Sequence, residues 1–215
     1  HQQADYRAGN VREYRPSFFE FDVAVHGVPG VHVRLSVPGY HNVYNALAAY
    51  ACAEGAGCTP GQCAQGLAAF RGAGRRFEIL GEVNGVTIAD DYAHHPTELE
   101  ATLRAAKEMD YNQVWAVFQP FTYSRTQMLL DEFARVLPIA DHVVMTEIMG
   151  SRERAEDYTV RTKDLAAKIP GSVWFSTFDE VVNHVLAHAK PGDLVITLGC
   201  GDIYKAAKMM MARAQ

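Results

Sequence analysis

Several features that would settle a protein's class are missing from these 215 residues. No apolar run reaches the ~20 residues that a membrane-spanning helix needs, and no signal peptide opens the chain. A membrane partner is therefore not expected. Cysteine is scarce: Cys52, Cys58, Cys63 and Cys200 form no CxxC pair. That disfavours a zinc site built on cysteine and fits reduced thiols in a cytoplasmic protein. Positive charge has no excess, since 20 Lys and Arg stand against 25 Asp and Glu, a net charge of −5. Nucleic acid is not an expected partner. The phosphate-loop string GxxxxGK[ST] occurs nowhere, and Gly199-Cys200-Gly201 does not extend to a full GxGxxG. The chain begins at His1 without a methionine and runs at once into ordinary sequence, which reads as a piece of something longer.

The composition that remains is that of a globular protein, 48% hydrophobic and 21% charged. Phe19, Phe21, Val23 and Val25 alternate, His26 to Gly30 supply turn residues, and Val31, Val33, Leu35 and Val37 alternate again. Period-2 patterning around a Gly/Pro turn predicts a β-hairpin, with Ala4 to Val11 as a further edge strand. Helices are expected over 42–55 and from Pro60 to about Phe70, the second capped by Thr59. Gly72 to Arg76 breaks the pattern. Asn84-Gly85 between two β-rich runs is a strong hairpin signal. Beyond it, strands at 114–118, 143–145, 173–175 and 194–198 alternate with helices at 97–109, 125–137, 161–168, 178–189 and 202–213. That order predicts βαβ units and a mostly parallel sheet buried on both faces. The boundary is placed at 71–77, giving residues 1–76 and 77–215, the second a complete α/β domain of ordinary size. The polar stretch from Gly150 to Asp157 reads as an exposed, mobile loop.

Chemistry concentrates at a few corners. Asp90-Asp91-Tyr92-Ala93-His94-His95 lies where a strand gives way to a helix, the usual place for functional groups in α/β proteins. A carboxylate there can hold a ribose hydroxyl or a metal-bound water, and an imidazole can orient a nucleophile. The plain alternative is an Asp capping the helix that opens at Pro96, with surface histidines. Adjacent His94 and His95 point different ways, which disfavours a metal chelate. Asn42 and Asn45, three apart on a helical face beside His41, can pair with a purine edge, or Asn42 can simply cap the helix. Arg75 and Arg76 beside glycines suit phosphate oxygens, or a solvated linker. Arg125 follows the strand at 114–118 and can hold a small carboxylate, or lie on the surface.

Five strings occur in order: PGYHNVYNALAA, GAGRRFE, IADDYAHHPTE, VFQPFTYSRT and TLGCGDIYK. Together they resemble the Mur ligases, the ATP-dependent ligases of peptidoglycan synthesis. The resemblance implies a three-domain enzyme. This chain would supply the end of its central ATP-binding domain, residues 1–76, and its whole Rossmann-like C-terminal domain, residues 77–215. The N-terminal domain and the rest of the central domain would lie outside the chain. ATP and Mg2+ are the implied cofactors, with the magnesium ligands mostly outside these residues. Within the family the pattern is nearest to the branch that joins L-alanine to UDP-N-acetylmuramate through an acyl phosphate. By resemblance, His41, Asn42 and Asn45 lie at the adenine side of ATP and Arg76 reaches its phosphates. Asp91 lies near the ribose and phosphates and, with His94, is the expected catalytic pair. Tyr92, His94 and Arg125 hold the incoming amino acid, and no residue of the chain is assigned to a metal. Tyr92 favours the alanine-adding branch over the branch that recycles whole peptides. Phe121-Thr122 stands where the family often has His-Arg. Without a phosphate loop, the isolated chain is expected to be inactive. The rival readings are a stand-alone α/β nucleotide-binding regulatory module, and a small hydrolase or transferase using Asp91 and His94.

Overall fold

A computed structural model describes residues 4–213. The chain divides into two compact units, His1–Gly72 and Ala73–Gln215. Residues 73–76, read from sequence as the end of the first part, belong to the second unit.

The first unit is a three-stranded antiparallel sheet with two helices. Its strands are β1 (Tyr6–Arg15), β2 (Phe18–Val25) and β3 (Val28–Arg34), paired in that order. The turn between β2 and β3 is tighter than the sequence suggests. It is only His26-Gly27, with φ of 48° and 82°, the double positive φ of a two-residue hairpin turn. Pro29 and Gly30 therefore sit inside β3, an edge strand, where a missing N–H does no harm. Phe21, Val23, Val33 and Leu35 are fully buried against Val43, Ala46 and Tyr50 of helix α1 (His41–Gly55) and Cys63 of α2 (Pro60–Ala69). Thr59 caps α2 in a reciprocal box with Gln62. α1 begins at His41 with no side-chain cap, so Asn42 does not perform that task.

The second unit carries a six-stranded sheet ordered β4-β5-β9-β6-β7-β8. β4 (Glu78–Val83) and β5 (Val86–Asp91) form an antiparallel hairpin around Asn84-Gly85. β6 (Val114–Phe118), β7 (His142–Thr146), β8 (Val173–Phe175) and β9 (Leu194–Leu198) run parallel to β5. Every residue of β6 and of β9 is buried, as expected of strands covered on both faces. Alternate residues feed two cores. Ala89, Ala116, Phe118, Met145 and Ile196 pack with Leu99 and Leu103 of α3 (Pro96–Glu108) and Phe133 of α5 (Leu130–Val136). Ile88, Val117, Val144 and Val195 pack on the other face with Val181, Val182 and Val185 of α7 (Phe178–His188) and Ala206, Ala207 and Met210 of α8 (Tyr204–Ala212). The expected α/β class with a mostly parallel sheet, preceded by a hairpin with helices, is what the chain adopts.

Two expectations change. The helix expected over 125–137 starts earlier and is broken into α4 (Tyr123–Met128) and α5, with Leu129 at φ −110°, ψ 23° between them. The stretch from Gly150 to Asp157 is largely exposed, as expected, but it is tethered. Ser124 N donates to Glu153 Oε2 at 3.0 Å, Ser124 Oγ donates to Glu153 Oε1, and Arg161 Nη2 donates to Ala155 O at 3.1 Å. Arg161 directly precedes α6 (Thr162–Ala167). Among the described residues no helix is long and apolar enough to cross a membrane.

Candidate functional site

β9 is inserted last, between β5 and β6. The helices after β5 and β6 cover one face, whereas α8 after β9 covers the other. Chain exits that diverge in this way open a crevice at the carboxyl ends of the strands. Three exits meet there: Tyr92 to His95 after β5, Gln119 to Thr122 after β6, and Gly199 to Ile203 after β9.

The first exit is built around buried carboxylates. Asp90 is 2% exposed. Arg75 Nε donates to its Oδ2 at 2.8 Å and Thr197 Oγ1 donates to its Oδ1 at 2.5 Å. Arg75 Nη2 also donates to Gly199 O at 2.6 Å, and its guanidinium lies 4.8 Å from the centre of the Tyr204 ring. One guanidinium thus joins the segment before β4 to the ends of β5 and β9. Asp91 is also nearly closed off. Its Oδ2 accepts from Phe77 N at 2.8 Å and its Oδ1 from Ala93 N at 2.7 Å. Burial pushes its carboxyl above the ordinary range, partly offset by those N–H donors and by Arg76. Arg76 itself is exposed, 5.9 Å from the centre of the half-exposed Tyr92 ring. Among the described residues no carboxylate bonds to Arg76, in contrast to Arg75.

His94 and Glu98 form the next tier. His94 Nδ1 lies 3.0 Å from Tyr92 O and 3.3 Å from Glu98 Oε2. Both neighbours are acceptors, so Nδ1 carries the hydrogen and the lone pair of a neutral ring is on Nε2. Glu98 Oε2 also accepts from His94 N and His95 N. The cap of α3 is His95, whose Nδ1 accepts from Thr97 N at 3.3 Å. The plain reading in which an Asp caps this helix is therefore not the arrangement found.

The exits after β6 and β9 abut each other. Gln119 N donates to Leu198 O at 3.0 Å. Thr122 has φ 63° and ψ 140°, a strained backbone for a β-branched residue. Its Oγ1 accepts from Arg125 N at 3.4 Å, which places Arg125 in the first turn of α4. The Arg125 guanidinium lies 5.9 Å from the Phe121 ring and beside Cys200, whose thiol burial pushes up while Arg125 draws it down. Gln119 Oε1 and Arg125 Nη1 are buried without hydrogen-bond partners.

In the first unit, Asn42 Nδ2 donates to Pro38 O at 2.7 Å and Asn45 Nδ2 donates to Asn42 Oδ1 at 2.9 Å. The two amides bond each other on one helical face, with exposed His41 next in sequence. The sequence reading missed the use of Asp90 by Arg75, the role of Glu98 and the orphan atom of Gln119. Only Glu98 had a sequence signal, an acidic residue in the first turn after His95-Pro96.

A family model described as Mur ligase, glutamate ligase domain matches residues 75–201. The UDP-N-acetylmuramate–L-alanine ligase of Alkaliphilus metalliredigens is 40% identical over 213 residues, 98% of this chain and 46% of that protein. The enzyme of the same name from Lachnospira eligens is 42% identical over 195 residues, 89% of this chain and 42% of that protein. The crystal structure of UDP-N-acetylmuramate-alanine ligase from Thermotoga maritima superposes with a TM-score of 0.81 at 26% identity, covering 99% of this chain and 46% of that one. A murein peptide ligase from Psychrobacter arcticus gives 0.70 at 27% identity, covering 99% and 44%. The chain spans less than half the length of the relatives it matches. With the family model covering more than half of its residues, and ordered motifs at three neighbouring strand exits, the chain belongs to the Mur ligase family.

Proposed function

We propose that this chain is the C-terminal part of a ligase that uses ATP to join L-alanine to UDP-N-acetylmuramate. The observation that carries this reading is an oriented imidazole, His94, and a partly buried guanidinium, Arg125, at exits on either side of the β9 turn. An amino acid presents two groups to recognise, a carboxylate and an amine, and these side chains match them.

In the proposed reaction the muramoyl carboxylate takes the γ-phosphoryl group of ATP and ADP leaves. The alanine amine then attacks the acyl carbon, phosphate leaves, and the new amide loses one proton. Arg125 holds the alanine carboxylate. His94 Nε2 accepts the amine proton, with the ring fixed by Tyr92 O and Glu98. Tyr92 borders the same subsite. Arg76, exposed and without a carboxylate partner, reaches for phosphate oxygens. His41, Asn42 and Asn45 serve the adenine. Asp91, with each oxygen already accepting one backbone N–H, holds the loop that carries His94, and its proposed place is near the ribose and phosphates. The carboxylates of this edge do not fit a magnesium ion, because Asp90 and Asp91 are taken up by Arg75, Thr197 and two backbone donors. Among the described residues no group of three or more metal-binding side chains occurs. The parent enzyme's magnesium ligands are assigned to the half of the relatives that has no counterpart in this chain.

Arg125→Ala in the intact protein tests the assignment. The expected result is a rise of about 10- to 100-fold in the alanine KM, with the KM for ATP unchanged. An unaltered alanine KM overturns the role of Arg125. The likeness to the Psychrobacter murein peptide ligase supports a second reading, peptide recycling. A higher kcat/KM for an alanyl peptide than for alanine would select it.

A further inference from the structure

Gln119 and Arg125 stand out because a buried polar atom without a partner is rare in a folded protein. Gln119 is 7% exposed, yet its Oε1 accepts nothing. Arg125 Nη1 is buried and donates to nothing. One atom is an acceptor and the other a cationic donor. Both border the same three-residue turn after β9. A Cβ placed on Gly201 would lie 2.7 Å from Gln119 Oε1 and 2.5 Å from Met149 Sδ, so the amide oxygen faces the bare backbone of that glycine. A Cβ on Gly199 would lie 3.0 Å from Gln119 O. Cys200, between the two glycines, sits against the Arg125 guanidinium. Gln119 has a fixed base, because its N–H continues the sheet ladder to Leu198 O at 3.0 Å. The third orphan atom, Ser17 Oγ, belongs to the first unit and has no complementary partner of this kind.

We propose that Gln119 is the amine-binding residue of an α-amino-acid subsite, its Oε1 holding the ammonium while Arg125 Nη1 holds the carboxylate of the same zwitterion beside the Gly199–Gly201 turn. This inference rests on the ligase reading and adds a residue to it. Gln119 is not a base. It accepts one N–H before and after the amine loses its extra proton, so the nitrogen keeps its place while the proton leaves elsewhere. Gly201 is required at its position because any side chain there would push the amide away.

The experiment uses the intact protein, ATP, UDP-N-acetylmuramate, and two probes: L-alanine as substrate and propionate as a competitive inhibitor that lacks the amine. Gln119→Met keeps the length of the side chain and removes the acceptor. The expected result is a rise of about tenfold or more in the alanine KM, with the propionate Ki unchanged. Gly201→Ala should shift the alanine KM in the same direction. Equal losses for alanine and propionate would mean that Gln119 only shapes the loop, and unchanged alanine kinetics in Gln119→Met would mean that the amine binds elsewhere. Either result overturns the inference and leaves the ligase reading standing. No ligation by the parent protein overturns the reading itself, and the inference with it.

Discussion

Glu98 organises the His94 corner with a single oxygen. Its Oε2 accepts from His94 N at 3.0 Å and His95 N at 3.2 Å and lies 3.3 Å from His94 Nδ1. Burial pushes the Glu98 carboxyl up, but the two N–H donors and the neighbouring His94 and Arg76 charges bring it below the ordinary 4.5. A lowered carboxyl adds stability above its unfolded value and loses it as the pH falls through the folded value. Glu98→Ala is therefore expected to cost about 0.5–1 kcal/mol at neutral pH, a modest figure because the carboxylate is two-fifths exposed and screened. Urea titrations should show that cost shrinking below pH 4.5; a cost that stays constant to lower pH would mean that the charge is irrelevant. Asp91 has the opposite sign. Its raised carboxyl favours the folded state below its ordinary value of 3.8 and opposes it as the pH rises through the folded value. Residue types at this corner were legible from sequence, but their partners were not. Arg75 and Arg76 look alike in GAGRRFE, and it is Asp90 and Gly199, both distant in sequence, that hold Arg75 inside.

Elements were legible where local chemistry sets them. Asn84-Gly85 favours its hairpin, and the short apolar runs at 114–118 and 194–198, set between longer helical patterns, fit buried strands. The break at Leu129 carries no Gly or Pro, so nothing in the sequence announces it. The left-handed Thr122 is equally silent, because a β-branched residue is the last that local preference would place there. Its strain is held by the Thr122 N to Met149 O bond at 2.9 Å and by the Glu153 tether on Ser124. Thr122→Gly should relieve that strain and lose only two long contacts of the hydroxyl, the 3.4 Å cap bond and a 3.5 Å contact with Ser124 Oγ, for a gain of about 1 kcal/mol. Thermal unfolding checks it, and a drop in stability would mean that the cap outweighs the backbone. The alanine KM of the same variant should rise, because a looser start to α4 lets Arg125 wander.

At the scale of the molecule, the second unit has two apolar cores, one on each face of its sheet, and both are drawn entirely from its own residues. Residues 73–215 alone should therefore fold and unfold in one cooperative transition, seen as coincident far- and near-ultraviolet dichroism curves. Separate transitions would mean that the sheet depends on chain outside it. The 215-residue chain by itself should form no amide from alanine, and product from it alone would contradict the assignment of the phosphoryl-transfer residues to the part of the relatives that has no counterpart in it. The intact protein gives the most direct test of the whole account. It is incubated with ATP, UDP-N-acetylmuramate and L-alanine, and the nucleotide-sugar products are resolved by mass spectrometry. The account predicts a new species heavier by one alanine residue, formed with equal amounts of ADP and phosphate and absent when any one substrate is left out. ATP hydrolysis without that species, or no ATP consumption at all, would contradict it.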